Sequence, residues 1–322
     1  MHAVRIHQFG DDSVLRYEEV ADPQPGPGQV RVKVHAASIN RGDIARRAGN
    51  YPGEVAFPLT LGWEVAGEID AVGDGVAPRR IGERVAAIAP SGGYAERLVT
   101  ASFGAVPIPE DLADDIAASI PVVFLTAWYG LVETARVQPN EWVLVHAGAS
   151  GVGMAGIQIA VQRGARVLAT ASTAAKQEFA ARLGAVATIN YAERDFVEEV
   201  WRLTDGAGVD VVLESVGGET FEESLEVLRV HGRLVTVGNT VGKTATIDPT
   251  ALIRGNHSIH GLHLAEWIAG GGAWAALTEI LRLVAAGTFR VAIDRRFPLA
   301  DAAAAHRYLE RRQNIGKVVL QL

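Results

Sequence analysis

The 322-residue chain has no cysteine at all. Without thiols it has no disulfide, no thiolate nucleophile and no cysteine-ligated metal site. Basic residues are in deficit, 30 Lys and Arg against 37 Asp and Glu, for a formal net charge of −7. A polyanion needs a basic face, so no nucleic-acid partner is expected. The pairs Arg46-Arg47, Arg79-Arg80, Arg295-Arg296 and Arg311-Arg312 are scattered along the chain and read as solvated surface charge. No apolar run reaches the roughly 18–20 residues of a membrane span. Met1 to Arg5 runs straight into an alternating strand pattern, where a signal peptide would show an apolar core. The expectation is a cytoplasmic protein with no membrane partner.

What the chain does contain divides it in two, as expected where the length exceeds one hydrophobic core. The first hundred or so residues are short strand patterns punctuated by Gly and Pro: Val30–Ala36, Glu64–Val72, Arg84–Ala89 and Tyr94–Thr100. Pro23-Gln-Pro-Gly-Pro-Gly28 is a turn segment that cannot be helical. After about residue 112, β-branched runs at Trp142–His146, Arg166–Thr170, Val209–Glu214 and Arg233–Gly238 alternate with helical windows near 152–163, 174–183, 193–204 and 219–229. That alternation predicts a parallel sheet with helices on both faces. Gly164 and Gly184 fall where a helix ends. The tail returns to mixed structure and closes on a strand signal, Lys317–Leu322. The fold class is α/β: a β-rich domain, 1–118 with 262–322, split by a doubly wound parallel-sheet domain, 119–261.

The strongest local signal is the strand–turn–helix Trp142-Val-Leu-Val-His-Ala-Gly-Ala-Ser-Gly-Val-Gly-Met-Ala-Gly156. A glycine-rich turn that opens a helix lets backbone N–H groups approach a pyrophosphate. In the pattern G-x-G-x-x-G, Gly148 and Gly153 take the outer positions, and Ser150 departs from the middle one. About 20 residues on, an NAD site carries an acid for the ribose 2′-hydroxyl. Arg166–Lys176 has none. It offers Thr170, Ser172 and Lys176 instead, which predicts NADPH. The alternative is that Ser172 or Thr173 caps the next helix and Lys176 is merely solvated. His257, His260 and His263 suggest a metal cluster, but strand spacing sends His260 to the opposite face and the neighbouring glycines disfavour a helix, so no metal site is assigned.

Asn40-Arg-Gly-Asp43, Tyr51-Pro52, Gly62-Trp-Glu-Val-Ala-Gly67, Leu125-Thr-Ala-Trp128, the glycine turn, Val237-Gly-Asn239 and Asn314-Ile-Gly-Lys-Val-Val-Leu320 occur in that order. Together they resemble the zinc-independent medium-chain dehydrogenase/reductases, in the quinone oxidoreductase (zeta-crystallin-like) group. The resemblance implies a GroES-like catalytic domain and a Rossmann domain. Zinc members carry a Cys near the Asn40 segment and a His just after Gly62; Ser38 and Trp63 stand in those neighbourhoods. Carried over, the resemblance puts Tyr51, Asn40 and Asp43 at the catalytic centre, with Asp43 either an acid/base or a loop-ordering carboxylate. Thr126 and Tyr129 would lie beside the nicotinamide. Gly148, Ala149, Ser150, Gly151, Val152 and Gly153 would form the pyrophosphate turn. Thr170, Ser172, Lys176 and Tyr191 would surround the adenosine phosphate, with Lys317 reaching the 2′-phosphate from the tail. Ser215, Gly238 and Asn239 would line the nicotinamide side. The activity implied is hydride transfer from NADPH to a quinone or other conjugated carbonyl compound without zinc. The alternatives are an enoyl or alkenal double-bond reductase and, in a different class, a non-catalytic NADPH-binding protein. The family also implies a homodimer, with 233–238 and 247–264 able to supply its apolar strands.

Overall fold

The computed structural model describes residues 1–322. They form two compact units, Met1–Val122 with Gly271–Leu322, and Val123–Gly270. In chain order the first unit opens with β1 (His2–Ile6), β2 (Arg16–Glu19), β3 (Gln29–Ile39), α1 (Arg41–Arg47), β4 (Leu59–Thr60) and β5 (Glu64–Val72). It continues through β6 (Arg84–Ile88), β7 (Arg97–Ala101), β8 (Ala105–Pro107) and α2 (Asp114–Ala118). Helix α3 (Pro121–Trp128) leads into the second unit: β9 (Trp142–Val145), α4 (Gly151–Gln162), β10 (Arg166–Ala171), α5 (Ala174–Arg182) and β11 (Ala187–Asn190). There follow α6 (Phe196–Leu203), β12 (Val209–Glu214), α7 (Glu219–Glu226), β13 (Leu228–Thr236), α8 (Pro249–Gly255), β14 (Ser258–Gly261) and α9 (Leu264–Ala269). The chain returns to the first unit with α10 (Ala273–Ala285), β15 (Ile293–Pro298), α11 (Ala302–Glu310) and β16 (Lys317–Gln321).

Strand β3 organises the first unit. Its first half alternates as the sequence predicts, with Val30, Val32 and Val34 buried and Lys33 exposed. It pairs antiparallel with β5 along its length, with β7 through residues 29–33 and with β16 through 36–39. One strand thus joins the tail of the chain to its head. The side chains facing inward, with Ile69, Leu98, Val318 and Leu320, form a single core.

The second unit is a six-stranded sheet in the order β11-β10-β9-β12-β13-β14, and every pair in it is parallel. Its strands are near-continuous apolar runs because helices cover both faces; Val143, Leu144, Val145, Val211 and Val212 are all fully buried. The order reverses between β9 and β12, and ligands of such sheets bind at that point, beyond the carboxyl ends of the strands. Gly164 and Gly184 have left-handed φ of +82° and +106° and terminate α4 and α5 as expected.

Three readings of the sequence change. The boundaries fall at 122 and 270 rather than at 118 and 261. Trp267 stacks on Tyr129 at 4.8 Å, and the side chain of Leu262 lies beside Gly130, which keeps 262–270 with the second unit. The helix expected over 219–229 ends at Glu226, and β13 begins at Leu228, ahead of the Arg233 that the sequence pattern marks. His231, at φ +65°, and a register shift against β12 absorb the irregularity that disguises this strand. Arg47, expected to be solvated, is 2% exposed.

Candidate active site

In the second unit, β9 ends just before the turn, and Ser150 begins α4. Its hydroxyl accepts from the Gly153 N–H at 3.0 Å, so the residue that departs from the glycine pattern is a helix cap. Gly151 and Val152 are the next two residues, whose N–H groups lie at the helix terminus with no intrahelical acceptor. A Cβ on Gly153 would stand 2.2 Å from the Ala147 carbonyl oxygen, and one on Gly148 would crowd Ala169 at 3.0 Å. Gly153 is therefore required for the close passage of turn against helix, and Gly148 fits the tight approach of the turn to β10. The donors present suit a pyrophosphate: backbone N–H groups, a helix terminus and no carboxylate.

Thr170 has a different role from the one the sequence suggests. It is 2% exposed, and its hydroxyl accepts from the Ala147 N–H at 3.1 Å while its carbonyl accepts from the Gly148 N–H at 2.8 Å. It holds the turn, including Ala147 at a strained φ of +50°, and has no free hydroxyl for a cofactor. Beside it, the pattern of donors fixes the tautomer of His146, a residue the sequence analysis passes over. Ser224 donates to the Thr220 carbonyl, so its oxygen accepts from His146 Nε2–H at 2.9 Å. Nδ1 then accepts from the Thr170 hydroxyl at 3.1 Å.

Burial pushes the His146 pKa down to about 3. An unfolded histidine protonates near 6.5, so between these values the unfolded chain binds the extra proton and stability falls as pH falls. His146→Gln keeps one donor and one acceptor without the titration. Wild type should lose about 1.4 kcal/mol more per pH unit than this variant between about pH 6.5 and 4. Parallel stability curves by urea unfolding would overturn the assignment.

At the ends of β10 and β11 the remaining phosphate candidates stay accessible. Ser172 and Lys176 are half-buried and Tyr191 is 50% exposed. Thr173, rather than Ser172, caps α5 by accepting from the Lys176 N–H. Beyond β12 and β13, Ser215 is half-buried and Gly238 exposed, but the Asn239 amide is spent within its own loop. It accepts from the Gly242 N–H at 3.0 Å and donates to the Lys243 carbonyl at 2.9 Å. Asn239 shapes that loop. Glu214, missed from sequence, anchors it from below, accepting from the Gly217 N–H and the Thr236 hydroxyl while fully buried. Thr126 is buried in α3, and Tyr129 stacks on Trp267.

In the first unit, two motifs far apart in sequence meet. Trp63 lies so close over Gly42 that a Cβ there would stand 2.2 Å from its ring, and Tyr51 packs against Trp63 at 5.0 Å. Asn40 Nδ2 donates to Glu64 Oε1 at 2.8 Å, and Lys317 Nζ donates to Asn40 Oδ1 at 2.6 Å, Glu64 Oε1 at 3.0 Å and the Ile39 carbonyl at 3.2 Å. Glu64 Oε2 accepts from the Val122 N–H. This corrects the reading of Lys317 as a 2′-phosphate ligand: its ammonium is 3% exposed, and three acceptors use its three protons. Asn40 is likewise a buried bridge between Lys317 and Glu64. Asp43 is fully buried and accepts from the Asn40 N–H at 2.8 Å, ordering the start of α1. Of the two roles open to it, loop ordering is the one this hydrogen bond serves. Burial pushes its pKa up to about 7. Tyr51 stays half-buried, and burial raises its phenol pKa. No three His, Asp or Glu side chains come close enough to hold a metal ion, the His257–His263 segment included.

Comparison with known proteins identifies the family. Residues 26–110 match the alcohol dehydrogenase GroES-like domain and residues 183–320 the zinc-binding dehydrogenase domain. A 2-haloacrylate reductase from Burkholderia sp. is 35% identical over 333 residues, 99% of this chain and 98% of the relative. The chain belongs to the medium-chain dehydrogenase/reductase family, in its quinone oxidoreductase group. The Escherichia coli quinone oxidoreductase, solved in complex with NADPH, superimposes with a TM-score of 0.94 over the full length of both chains at 32% identity. A phenolphthiocerol/phthiocerol polyketide synthase polypeptide of Mycobacterium tuberculosis is 37% identical over 321 residues, 99% of this chain, which spans only 15% of that polypeptide.

Proposed function

We propose that the chain reduces an electrophilic conjugated carbonyl compound, a quinone or an enone, with hydride from NADPH and without zinc. The oxidoreductase class and the cofactor go with the family; the acceptor and the absence of zinc are the proposal. One observation carries it. The buried polar side chains of the first unit are tied to one another as Lys317–Asn40–Glu64, in a chain with no cysteine, and the Tyr51 phenol sits half-buried beside Trp63. A site with a phenol donor and no Lewis acid suits an acceptor that is already activated by conjugation.

NADPH, when bound, supplies the hydride. Gly151 and Val152 would hold its pyrophosphate through backbone N–H groups, with Gly148, Ala149, Ser150 and Gly153 shaping the turn. Ser172 and Lys176 would take the 2′-phosphate, with Tyr191 beside them, and Thr126, Tyr129, Ser215 and Gly238 would border the nicotinamide. Tyr51 donates a hydrogen bond to the acceptor oxygen as negative charge builds there, and solvent supplies the final proton. One relative favours an alkene over a quinone: a 2-haloacrylate carries a conjugated double bond. The edge strand β14 and the exposed Ile253 support a homodimer, on the sequence segments already named.

The test is a steady-state screen of a quinone, an enone and an enoyl thioester, with and without a chelator. Turnover of none, despite tight NADPH binding, would favour a non-catalytic NADPH-binding protein; loss on chelation with rescue by zinc would overturn the zinc-free reading. In the same assay, NADPH should be preferred over NADH by at least about tenfold, or about 1.4 kcal/mol. Lys176→Ala should narrow that ratio. Equal kcat/KM for the two cofactors in wild type would refute the charge argument.

A further inference from the structure

A buried carboxylate stands where β12 ends, and the function proposed above gives it no part. Glu214, the last residue of β12, is fully buried. Its Oε1 accepts from the N–H groups of Val216 and Gly217, the latter at 2.7 Å, and its Oε2 accepts from the Thr236 hydroxyl at 3.1 Å. Thr236 is the last residue of β13. One side chain therefore ties the loop that leaves β12 to the end of the neighbouring strand.

The loops that follow the two strands also pack directly on each other. The Val237 N–H donates to the Glu214 carbonyl at 2.8 Å, and the Val241 N–H to the Val216 carbonyl at 3.0 Å. Gly217 has a left-handed φ of +83°, and a Cβ on it would stand 2.1 Å from the Asn239 amide oxygen, so the first loop passes Asn239 with no room for a side chain. A Cβ on Gly238 would stand 3.6 Å from the Ser215 carbonyl oxygen, so the loops lie side by side there.

The sheet order β11-β10-β9-β12-β13-β14 is that of two mononucleotide-binding halves that meet between β9 and β12. The half β9–β11 carries the turn at 148–153 and the candidates for the 2′-phosphate, so the nicotinamide mononucleotide falls to the half β12–β14. We propose that Glu214 is a positioning residue for the nicotinamide half of NADPH: it holds the loops that carry Ser215 and Gly238 against each other and so fixes the border of that half. The loops need acceptors rather than charge. Burial raises the Glu214 pKa, and the N–H groups of Gly217 and Val216 oppose the rise. Glutamine can therefore take its place. Its amide oxygen would accept from the two N–H groups, and its NH2 would donate to the Thr236 oxygen, leaving the Thr236 proton to turn to the Gly238 carbonyl, 3.4 Å away. Leucine offers neither group. The inference rests on the placement of NADPH proposed above and on no particular acceptor.

The test compares two ligands on the intact chain by calorimetric titration. NADPH spans both halves, whereas 2′,5′-ADP carries the adenosine and its 2′-phosphate without the nicotinamide. Glu214→Leu should weaken NADPH by about tenfold, the scale of buried N–H groups left without an acceptor, and leave 2′,5′-ADP within about twofold. The emission of bound NADPH, which comes from the nicotinamide, should shift toward that of the free cofactor. Glu214→Gln should bind both ligands as wild type does. Thr236→Val removes one hydrogen bond and should weaken NADPH by about threefold with 2′,5′-ADP unmoved; it decides by the same comparison if Glu214→Leu does not fold. Equal weakening of the two ligands would make Glu214 merely structural and overturn the proposal. Unchanged NADPH affinity in Glu214→Leu would overturn it too, as would a glutamine as damaging as leucine. Lys176→Ala tests the placement separately: it should weaken both ligands, and if it weakens neither, the 2′-phosphate site is wrong while the Glu214 comparison stands.

Discussion

Lys317→Met should destabilise the first unit by about 3–5 kcal/mol, the cost of removing one partner of a buried ion pair. Lys317 and Glu64 are 3% and 0% exposed, and the ammonium also satisfies the Asn40 amide oxygen and the Ile39 carbonyl. Methionine matches the length of the lysine stem, so packing changes little, and the loss falls on three acceptors and one charge. The Glu64 carboxylate would be left buried with only the Asn40 amide and the Val122 N–H. Adding Glu64→Gln should recover part of the stability, and the double-mutant cycle measures the coupling. Urea unfolding checks the size. NADPH affinity, measured by fluorescence titration, should hold. A roughly tenfold weaker Kd for NADPH at unchanged stability, about 1.4 kcal/mol, would instead restore Lys317 as the phosphate ligand that its place in the tail suggests.

The same residue shows where sequence reading succeeds and where it stops. Periodicity and turn chemistry are local, so β5 is legible to its bounds, Glu64–Val72, and the glycines ending α4 and α5 stand out from position alone. The strand–turn–helix at Val145–Gly153 is equally plain, because a pyrophosphate turn is made of neighbouring backbone groups. The polar partners are not legible. Lys317 meets Asn40 across 277 positions and Arg47 meets His306 across 259, and nothing in either segment announces the other. Thr170 misleads for a related reason: its place at the end of β10 is where a phosphate ligand belongs, but its side chain turns back to the preceding turn to meet Ala147. His146 offers a signal that is there to use. A histidine at the buried end of a parallel strand must find two partners, and hydroxyls are available in Thr170 and Ser224.

These corrections narrow the chemistry to fewer groups. Asn40 is occupied on both ends of its amide, Asp43 orders α1, and Lys317 is enclosed. Of the three residues expected at the catalytic centre, Asn40 and Asp43 are buried and Tyr51 is half-buried, so Tyr51 is the one proposed to meet an acceptor oxygen.

Tyr51→Phe should therefore lower kcat, and kcat/KM with it, by about ten- to a thousandfold, the range for one lost donor to a developing oxyanion. The argument is differential. As hydride arrives at an enone, negative charge grows on its oxygen, and a hydrogen bond there strengthens between ground state and transition state. Burial raises the Tyr51 pKa, so the phenol keeps its proton at neutral pH and remains a donor. The ring itself packs against Trp63 at 5.0 Å, a contact that phenylalanine preserves, so the substitution removes the hydroxyl and leaves the wall. NADPH affinity should be nearly unchanged, since the phosphate-binding turn lies in the other unit, at residues 148–153. KM for the acceptor should move less than kcat, because a neutral carbonyl gains less from the bond than an enolate does. A quinone accepts hydride with less assistance, so its loss should sit at the low end of the range and that of an enone at the high end. Steady-state kinetics on both acceptors make the comparison. If Tyr51→Phe keeps the wild-type rate on the enone with NADPH affinity intact, Tyr51 serves only as a wall beside Trp63, and the oxygen is stabilised by something other than this phenol.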